Sequence, residues 1–422
     1  MSLRQASTGS RNPGAPVGVR SAGRGGAWLL GPAFVAAIAY VDPGNVAANL
    51  TAGARYGYLL LWVLVAANGI AVLIQYQSAK LGLVTGLSLP DALGRRLRRG
   101  PRLAFWAQAE LVAAATDIAE VVGGAIALHL LFGVPLALGG LIVGAVSLAL
   151  LATQNRYGQR QFEAVVVGLL AVITLGFLAG LVVSPPSAAG MLSGLVPRFD
   201  GSDSVLLAAS MLGATVMPHA IYVHSALARD RHGLAPAGPW RARLLRATKW
   251  DVGIALVVAG VVNIGLLLLA ASGLRGVPGT DSIEGAHAAI AASLGPVVGV
   301  AFAVGLLASG LASTSVGAYA GATIMAGLLR RRVPLLVRRV VTLIPAVLLL
   351  ALGADPTWTL VVSQVVLSFG IPFAAIPLVR LTRDATLMGE ARTGARLHAV
   401  LITVVTLVVA LNLTLLALLL TA

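Results

Sequence analysis

The sequence predicts an all-α polytopic membrane protein with eleven transmembrane helices, and three observations predict it. Of its 422 residues, 58% are hydrophobic and 11% charged, whereas a soluble protein has about a quarter of its residues charged. Eleven apolar stretches, each near the roughly 20 residues needed to cross a hydrocarbon core, are separated by turn-forming or charged segments. With the amino terminus inside, 26 of the 30 Lys and Arg fall on cytoplasmic segments, and Arg55, Arg198 and Arg275 fall on the opposite face. A bias of that size sets the orientation. Lys80, at the inner end of the second span, is the one base that does not fit. The absence of cysteine excludes a disulfide scaffold, thiolate metal sites and cysteine nucleophiles. A net charge of +15 would suggest nucleic acid as a partner in a soluble chain, but its placement between apolar spans argues for a lipid bilayer and against nucleic acid.

Residues 1–26 carry Arg4, Arg11, Arg20 and Arg24 among Gly, Ser and Pro, without an acid or an apolar run. They read as a disordered cytoplasmic arm and not a signal peptide. The spans follow at 28–53, 58–84, 103–132, 135–154, 162–184, 203–228, 251–273, 297–329, 334–353, 356–379 and 397–421. An odd number places the carboxyl terminus on the extracytoplasmic side of the cell membrane. Residues 279–295 suggest a short external helix, and no soluble domain fits anywhere.

A charge inside the bilayer is expensive, so a central ionisable group is a functional candidate by default. In span 1 the run AYVDPGNVAANL puts Pro43 and Gly44 at the helix centre, where proline removes a backbone N–H and clashes with the carbonyl four residues back. The helix is expected to break there, freeing carbonyls around Ala39 and leaving the Asp42 carboxylate and the Asn45 amide oxygen beside the gap. Span 6 repeats the device in GATVMPHAIYVHSAL: Pro218 frees the Ala214 carbonyl, and Met217 stands immediately before the break. Span 1 runs outward and span 6 inward. Paired broken helices in two oppositely directed halves point to a midplane site of a secondary transporter, giving repeats at 27–185 (spans 1–5) and 186–381 (spans 6–10), with 382–422 adding span 11.

Span 3 carries Glu110, Asp117 and Glu120, which at about 100° per residue fall within roughly an 80° arc over about 15 Å of rise. Such a file suits a proton relay, with Arg338 and Arg339 at the start of span 9 as its counter-ions. His219, two residues beyond Met217, has the side chain whose ordinary pKa lies nearest neutrality and could carry or tune protons; His224 is farther from the break. Asn68, Gln75, Asn263 and Gln364 lie within apolar spans, where such groups commonly join helices. Gln364 is the one singled out as a ligand candidate.

DPGN at 42–45, ARYGYLLLW at 54–62, ELVAAATDIAEVVGGAIAL from Glu110 to Leu128 and GATVMPHAIYVHSAL from Gly213 to Leu227 resemble the natural-resistance-associated macrophage protein (Nramp) family, in its bacterial branch of proton-coupled manganese transporters. The resemblance covers residues 27–421. It implies the eleven-helix form of the LeuT-like fold, five plus five helices and one more, with alternating access to a central metal site. It implies metal ligation by Asp42, Asn45, the Ala214 carbonyl and Met217, joined in some conformations by the Ala39 carbonyl and Gln364. A proton route is implied from Asp42 and His219 through Glu120, Asp117 and Glu110 past Arg338 and Arg339. Retention of both Ala214 and Met217 separates the chain from the magnesium-transporting and aluminium-transporting branches.

A thioether offers little to Mg²⁺ or Ca²⁺ but is tolerated by Mn²⁺ and Fe²⁺ and favoured by Cd²⁺, so Met217 selects by rejection. The expected function is proton-coupled import of Mn²⁺, with Fe²⁺ and Cd²⁺, across the cytoplasmic membrane. Metal ions and protons are then substrates, with no cofactor and no obligate protein partner. The competing reading is a sodium- or proton-coupled amino-acid symporter of the same fold; Met217 beside Asp42 argues against it. An intramembrane hydrolase is disfavoured because the sequence has no H-E-x-x-H and no G-x-S-x-G.

Overall fold

The computed structural model describes residues 31–157, 159–331 and 335–421, so the expected arm at 1–26 lies outside the described residues. The described chain is helical throughout. Span 1 is α1 (Pro32–Ile38), a 3-10 turn (Ala39–Val41) and α2 (Pro43–Tyr56); α3 is Leu61–Thr85, α4 Leu89–Arg96, α5 Arg99–Phe132, α6 Leu136–Tyr157, α7 Gln159–Val183 and α8 Ala188–Gly194. Span 6 is α9 (Gly201–Thr215) and α10 (Pro218–His232), followed by α11 (Pro239–Gly273), α12 (Ile283–Leu294), α13 (Pro296–Ile324), α14 (Leu335–Ala351), α15 (Pro356–Arg383), α16 (Ala385–Met388) and α17 (Ala395–Thr421). Eight helices among the described residues are long and apolar enough to cross a membrane, with α9 and α10 taken together. The other three expected spans fall on the α1–α2 pair, α6 and α14.

Side chains at the two ends fix the relative directions of the broken helices. At one end Thr51 and Arg55 of α2 line a cavity of about 400 Å³ with Asp203 and Leu206 of α9, so α2 finishes where α9 starts. At the other end Arg231 of α10 lies 3.6 Å from Glu163, and a Cβ added to Gly31, just before α1, would meet Glu163 Oε2 at 2.7 Å. Spans 1 and 6 are therefore antiparallel. Packing also comes in matched pairs: α10 lies along α3 as α11 lies along α2, and α13 lies along α7 as α5 lies along α15. Moving each partner five spans along the chain turns one member of a pair into the other.

Lys80 does not conflict with the charge bias. Its Nζ donates to Thr393 Oγ1 at 3.0 Å, and the Thr393 carbonyl accepts from Arg383 at 2.6 Å. The second span runs back to the basic end, so Lys80 belongs there. At this end Arg96 pairs with Asp384 at 2.6 Å, and the Thr386 hydroxyl with Arg96 holds the Asp384 carboxyl well below the usual carboxylate range. The external helix expected within 279–295 is α12, capped by the Ser282 hydroxyl.

Candidate cation site at the two helix breaks

Both expected breaks are present, and each proline begins the second half-helix. Asp42 is extended (φ −72°, ψ 167°) and caps α2, which starts at Pro43; Met217 is likewise extended (φ −65°, ψ 122°) before Pro218 starts α10. Proline is tolerated at a first helical position because the missing N–H would have no partner there. The residue before it is pushed out of the α region. The inverted repeat thus places a carboxylate at one break and a thioether at the equivalent position of the other.

Asn45 joins the two breaks. Asp42 Oδ1 accepts from the Asn45 backbone N–H at 2.8 Å and from Asn45 Nδ2 at 2.7 Å, and the same Nδ2 donates to the Ala214 carbonyl at 2.9 Å. The carbonyl expected to be freed by Pro218 therefore does look toward span 1. Around the first break the Tyr40 carbonyl accepts from Asn263 Nδ2 at 2.6 Å and the Val41 carbonyl from Ser309 Oγ at 2.5 Å. Ala39, the first residue of the 3-10 turn, is buried. Asn263 is the interhelical link expected of it, with Asn49 bonded to its oxygen at 3.0 Å. Gln75 likewise links Tyr40 to His224, at 2.5 Å and 2.8 Å.

Gln364 of α15 reaches the same place. A Cβ built on Gly44 would lie 1.8 Å from Gln364 Nε2, so the glycine of DPGN leaves room for the amide of span 10. Gly44 therefore does more than help break the helix: its missing side chain is what admits Gln364. On the other side of Pro43, Gly123 of α5 packs so closely that an added Cβ would lie 2.0 Å from the proline Cβ.

Buried polar atoms are nearly always hydrogen-bonded, yet at these breaks Asp42 Oδ2, Asn45 Oδ1, Thr215 Oγ1 and Gln364 Oε1 have no partner. All four can accept. A cation is the ligand that satisfies such a set, and Met217, itself buried, is the residue at the second break. Thr215 is an addition to the expected residues, for which its place inside ATVMPH was the available signal. Among the described residues no group of three or more His, Cys, Asp or Glu could hold a metal ion. The site therefore has one carboxylate and otherwise neutral donors, a set suited to passing a dication on.

Two of the three acids in the file are ion-paired with the arginines of span 9. Arg339 Nη1 donates to Asp117 Oδ1 at 2.9 Å and its Nε to Ser147 Oγ at 3.2 Å; Arg338 Nη2 donates to Glu110 Oε1 at 3.1 Å. Glu120 is fully buried, and neither carboxylate oxygen has a hydrogen-bond partner. His219 Nδ1 lies 3.3 Å from Thr116 Oγ1, whose hydroxyl donates to the Val112 carbonyl at 3.0 Å. The hydroxyl oxygen then accepts from Nδ1–H, which leaves Nε2 a bare acceptor, and Nε2 is buried without a partner. His219 thus connects the second break to α5. Glycines of α13 make room for the file: a Cβ at Gly317 would lie 3.0 Å from Glu120 Oε2, and one at Gly321 1.8 Å from Arg338 Cζ.

The sequence model described as "Natural resistance-associated macrophage protein-like" (Nramp) matches residues 33–418. A protein of Mycobacterium tuberculosis named divalent metal cation transporter MntH is 64% identical over 362 residues, which is 86% of this chain and 85% of that one. One of the same name from Bacillus subtilis is 44% identical over 390 residues, 91% of this chain and 90% of its own. The crystal structure of the Eremococcus coleocola manganese transporter in complex with an aromatic bis-isothiourea substituted compound superposes with a TM-score of 0.82 at 34% identity. It covers 92% of this chain and 86% of that one. With breaks, antiparallel halves and matched sequence running together through 33–418, the fold is LeuT-like and the chain belongs to the Nramp family.

Proposed function

We propose that this protein imports Mn²⁺, and also Fe²⁺ and Cd²⁺, across the cytoplasmic membrane by alternating access, driven in part by protons. At the coarser level it is a membrane transporter of divalent metal ions and not an enzyme. Asp42, Asn45, the Ala214 carbonyl and Met217 are the proposed ligands, with Gln364 and the Ala39 carbonyl joining as the site closes. His219, Glu120, Asp117 and Glu110 are the proposed proton carriers, held by Arg338 and Arg339. The observation that carries the reading is the set of partnerless acceptor oxygens gathered where the two helices break. The charge bias supports a cytoplasmic amino terminus. A methionine at the second break, where an amino-acid symporter would present bare backbone to a carboxylate, favours metal over the symporter reading.

The test is Mn²⁺ uptake into proteoliposomes with and without an inward proton gradient, in the presence of excess Mg²⁺. Saturable uptake that rises with the gradient and survives Mg²⁺ is expected. Uptake indifferent to the gradient would remove proton coupling, and its abolition by Mg²⁺ would remove the transition-metal assignment.

A further inference from the structure

On the lipid-facing side of the molecule, α15 and α17 enclose a groove of about 430 Å³ that has no part in the cation route. Its walls are apolar: Val379 of α15 and Ile402, Val405 and Val409 of α17 line it, as do Arg380 and His398. His398, in the first turn of α17, and Arg380, in the last turn of α15, mark the basic end of the molecule, where Arg383 binds the Thr393 carbonyl and Lys80 binds the Thr393 hydroxyl. Arg380 is exposed and takes part in no ion pair among the described residues. The Nδ1 atom of His398 is buried and has no hydrogen-bond partner. A free cation and an unmatched imidazole nitrogen at the mouth of an apolar slot form an amphiphile's negative image.

The slot's length identifies the amphiphile. From His398 to Val409 it follows eleven residues of helix, roughly 16 Å of rise, and half of a hydrocarbon core of about 30 Å is one leaflet. A phosphate at Arg380 and His398 therefore places one acyl chain along the groove to the middle of the bilayer. Guanidinium suits a phosphate diester in its planar fork, and basic residues at a membrane surface favour anionic lipid. We propose that the α15–α17 groove is a binding site for an anionic glycerophospholipid of the leaflet at the basic end, with Arg380 and His398 on its phosphate.

Native mass spectrometry of the full-length protein in detergent tests this, after incubation with phosphatidylglycerol, with phosphatidylcholine, or with inorganic phosphate. Phosphatidylglycerol should be retained over phosphatidylcholine. Arg380→Gln should lower that retention roughly fivefold, the equivalent of one basic contact with a headgroup, and Arg380→Lys should recover part of it. Thr406→Trp fills the slot from an exposed position while leaving the cation in place, and should lower retention as much. Unfolding temperature without lipid establishes that each variant is folded. Equal retention of both lipids, or retention unchanged in both Arg380→Gln and Thr406→Trp, overturns the proposal. So does binding of inorganic phosphate that Arg380→Gln removes while Thr406→Trp leaves lipid retention intact, since the site would then read a phosphate and no chain.

Discussion

Asp42 divides its work between its two oxygens: Oδ1 caps α2 and holds the Asn45 amide, and Oδ2 is left without a partner. Asparagine caps a helix about as well as aspartate, so Asp42→Asn keeps the break while removing the charge that a dication needs. Uptake of Mn²⁺ should be lost with stability changed by no more than about 1 kcal/mol; a larger drop in thermal unfolding would make Asp42 a structural residue. In the proposed ligand set Met217 is the opposite case, a neutral group assigned to selectivity by rejection. Met217→Ala should admit Ca²⁺ or Mg²⁺ and weaken Cd²⁺, read from competition against Mn²⁺ in liposome uptake; unchanged competition would take the thioether out of selectivity. The chemistry of these two residues was legible because proline and glycine announce the break in local sequence. Gly44 was only half legible. Its helix-breaking role is local, but its clearance for Gln364 depends on a residue more than three hundred positions away, and no local pattern carries that. Thr215 was missed for a related reason, since a threonine in a membrane helix ordinarily bonds its own backbone.

At the scale of helices, α5 and α13 carry the acidic file together, with α13 contributing absence of side chains at Gly317 and Gly321. The acids and their arginines were readable from spacing; the glycine face was not, because glycine is common in membrane helices and marks no single partner. The pairing separates two variants that sequence alone would treat alike. Asp117→Asn leaves the fully buried Arg339 facing an uncharged partner, and breaking a buried pair costs about 3–5 kcal/mol. Glu120→Gln disturbs no hydrogen bond, since both oxygens lack one. Both should reduce metal-driven proton flux, but only Asp117→Asn should lower unfolding temperature; full acidification by a Glu120→Gln protein would remove that residue from the route. The half-helix α1 supplies another prediction. Its start is held by Asp251 of α11, which accepts from the backbone of Gly31 and Ala33, both at 3.0 Å. Charge-assisted hydrogen bonds contribute about 1.5–3 kcal/mol each, so Asp251→Ala should release α1 at the basic end. The chain has no cysteine of its own, so a single cysteine replacing Ala36 should react several-fold faster with a thiol reagent in the Asp251→Ala background. Equal rates would mean that Asp251 does not hold α1 in place.

For the whole molecule, the opposed directions of the two halves followed from the number and length of apolar runs, which act over the full chain and so survive errors in local detail. Boundaries did not: α11 starts at Pro239 and not near 251, because hydrophobicity ends at the membrane surface while the helix continues through Arg241, Arg243, Arg246 and Lys249. The short helices α4, α8 and α16 carry too few turns for a periodic signal; Ser88 and Asp91 form a capping box at α4 that a search for caps would have found. The overall charge arrangement leads to a prediction about energetics. With the basic end inside, import carries a dication down the inside-negative potential, and each elementary charge moved through 100 mV contributes about 2.3 kcal/mol. Two charges give about 4.6 kcal/mol, which is an accumulation of more than about a thousandfold before any proton is counted. Asp42 returning without its metal completes the transfer of both charges whatever fraction of the field the loaded site crosses. Mn²⁺ uptake into right-side-out vesicles at equal pH should therefore rise steeply when a potassium diffusion potential makes the interior negative, and fall when the sign is reversed. Uptake insensitive to potential would mean that two positive charges leave for each Mn²⁺ entering, and the cycle would be an exchange.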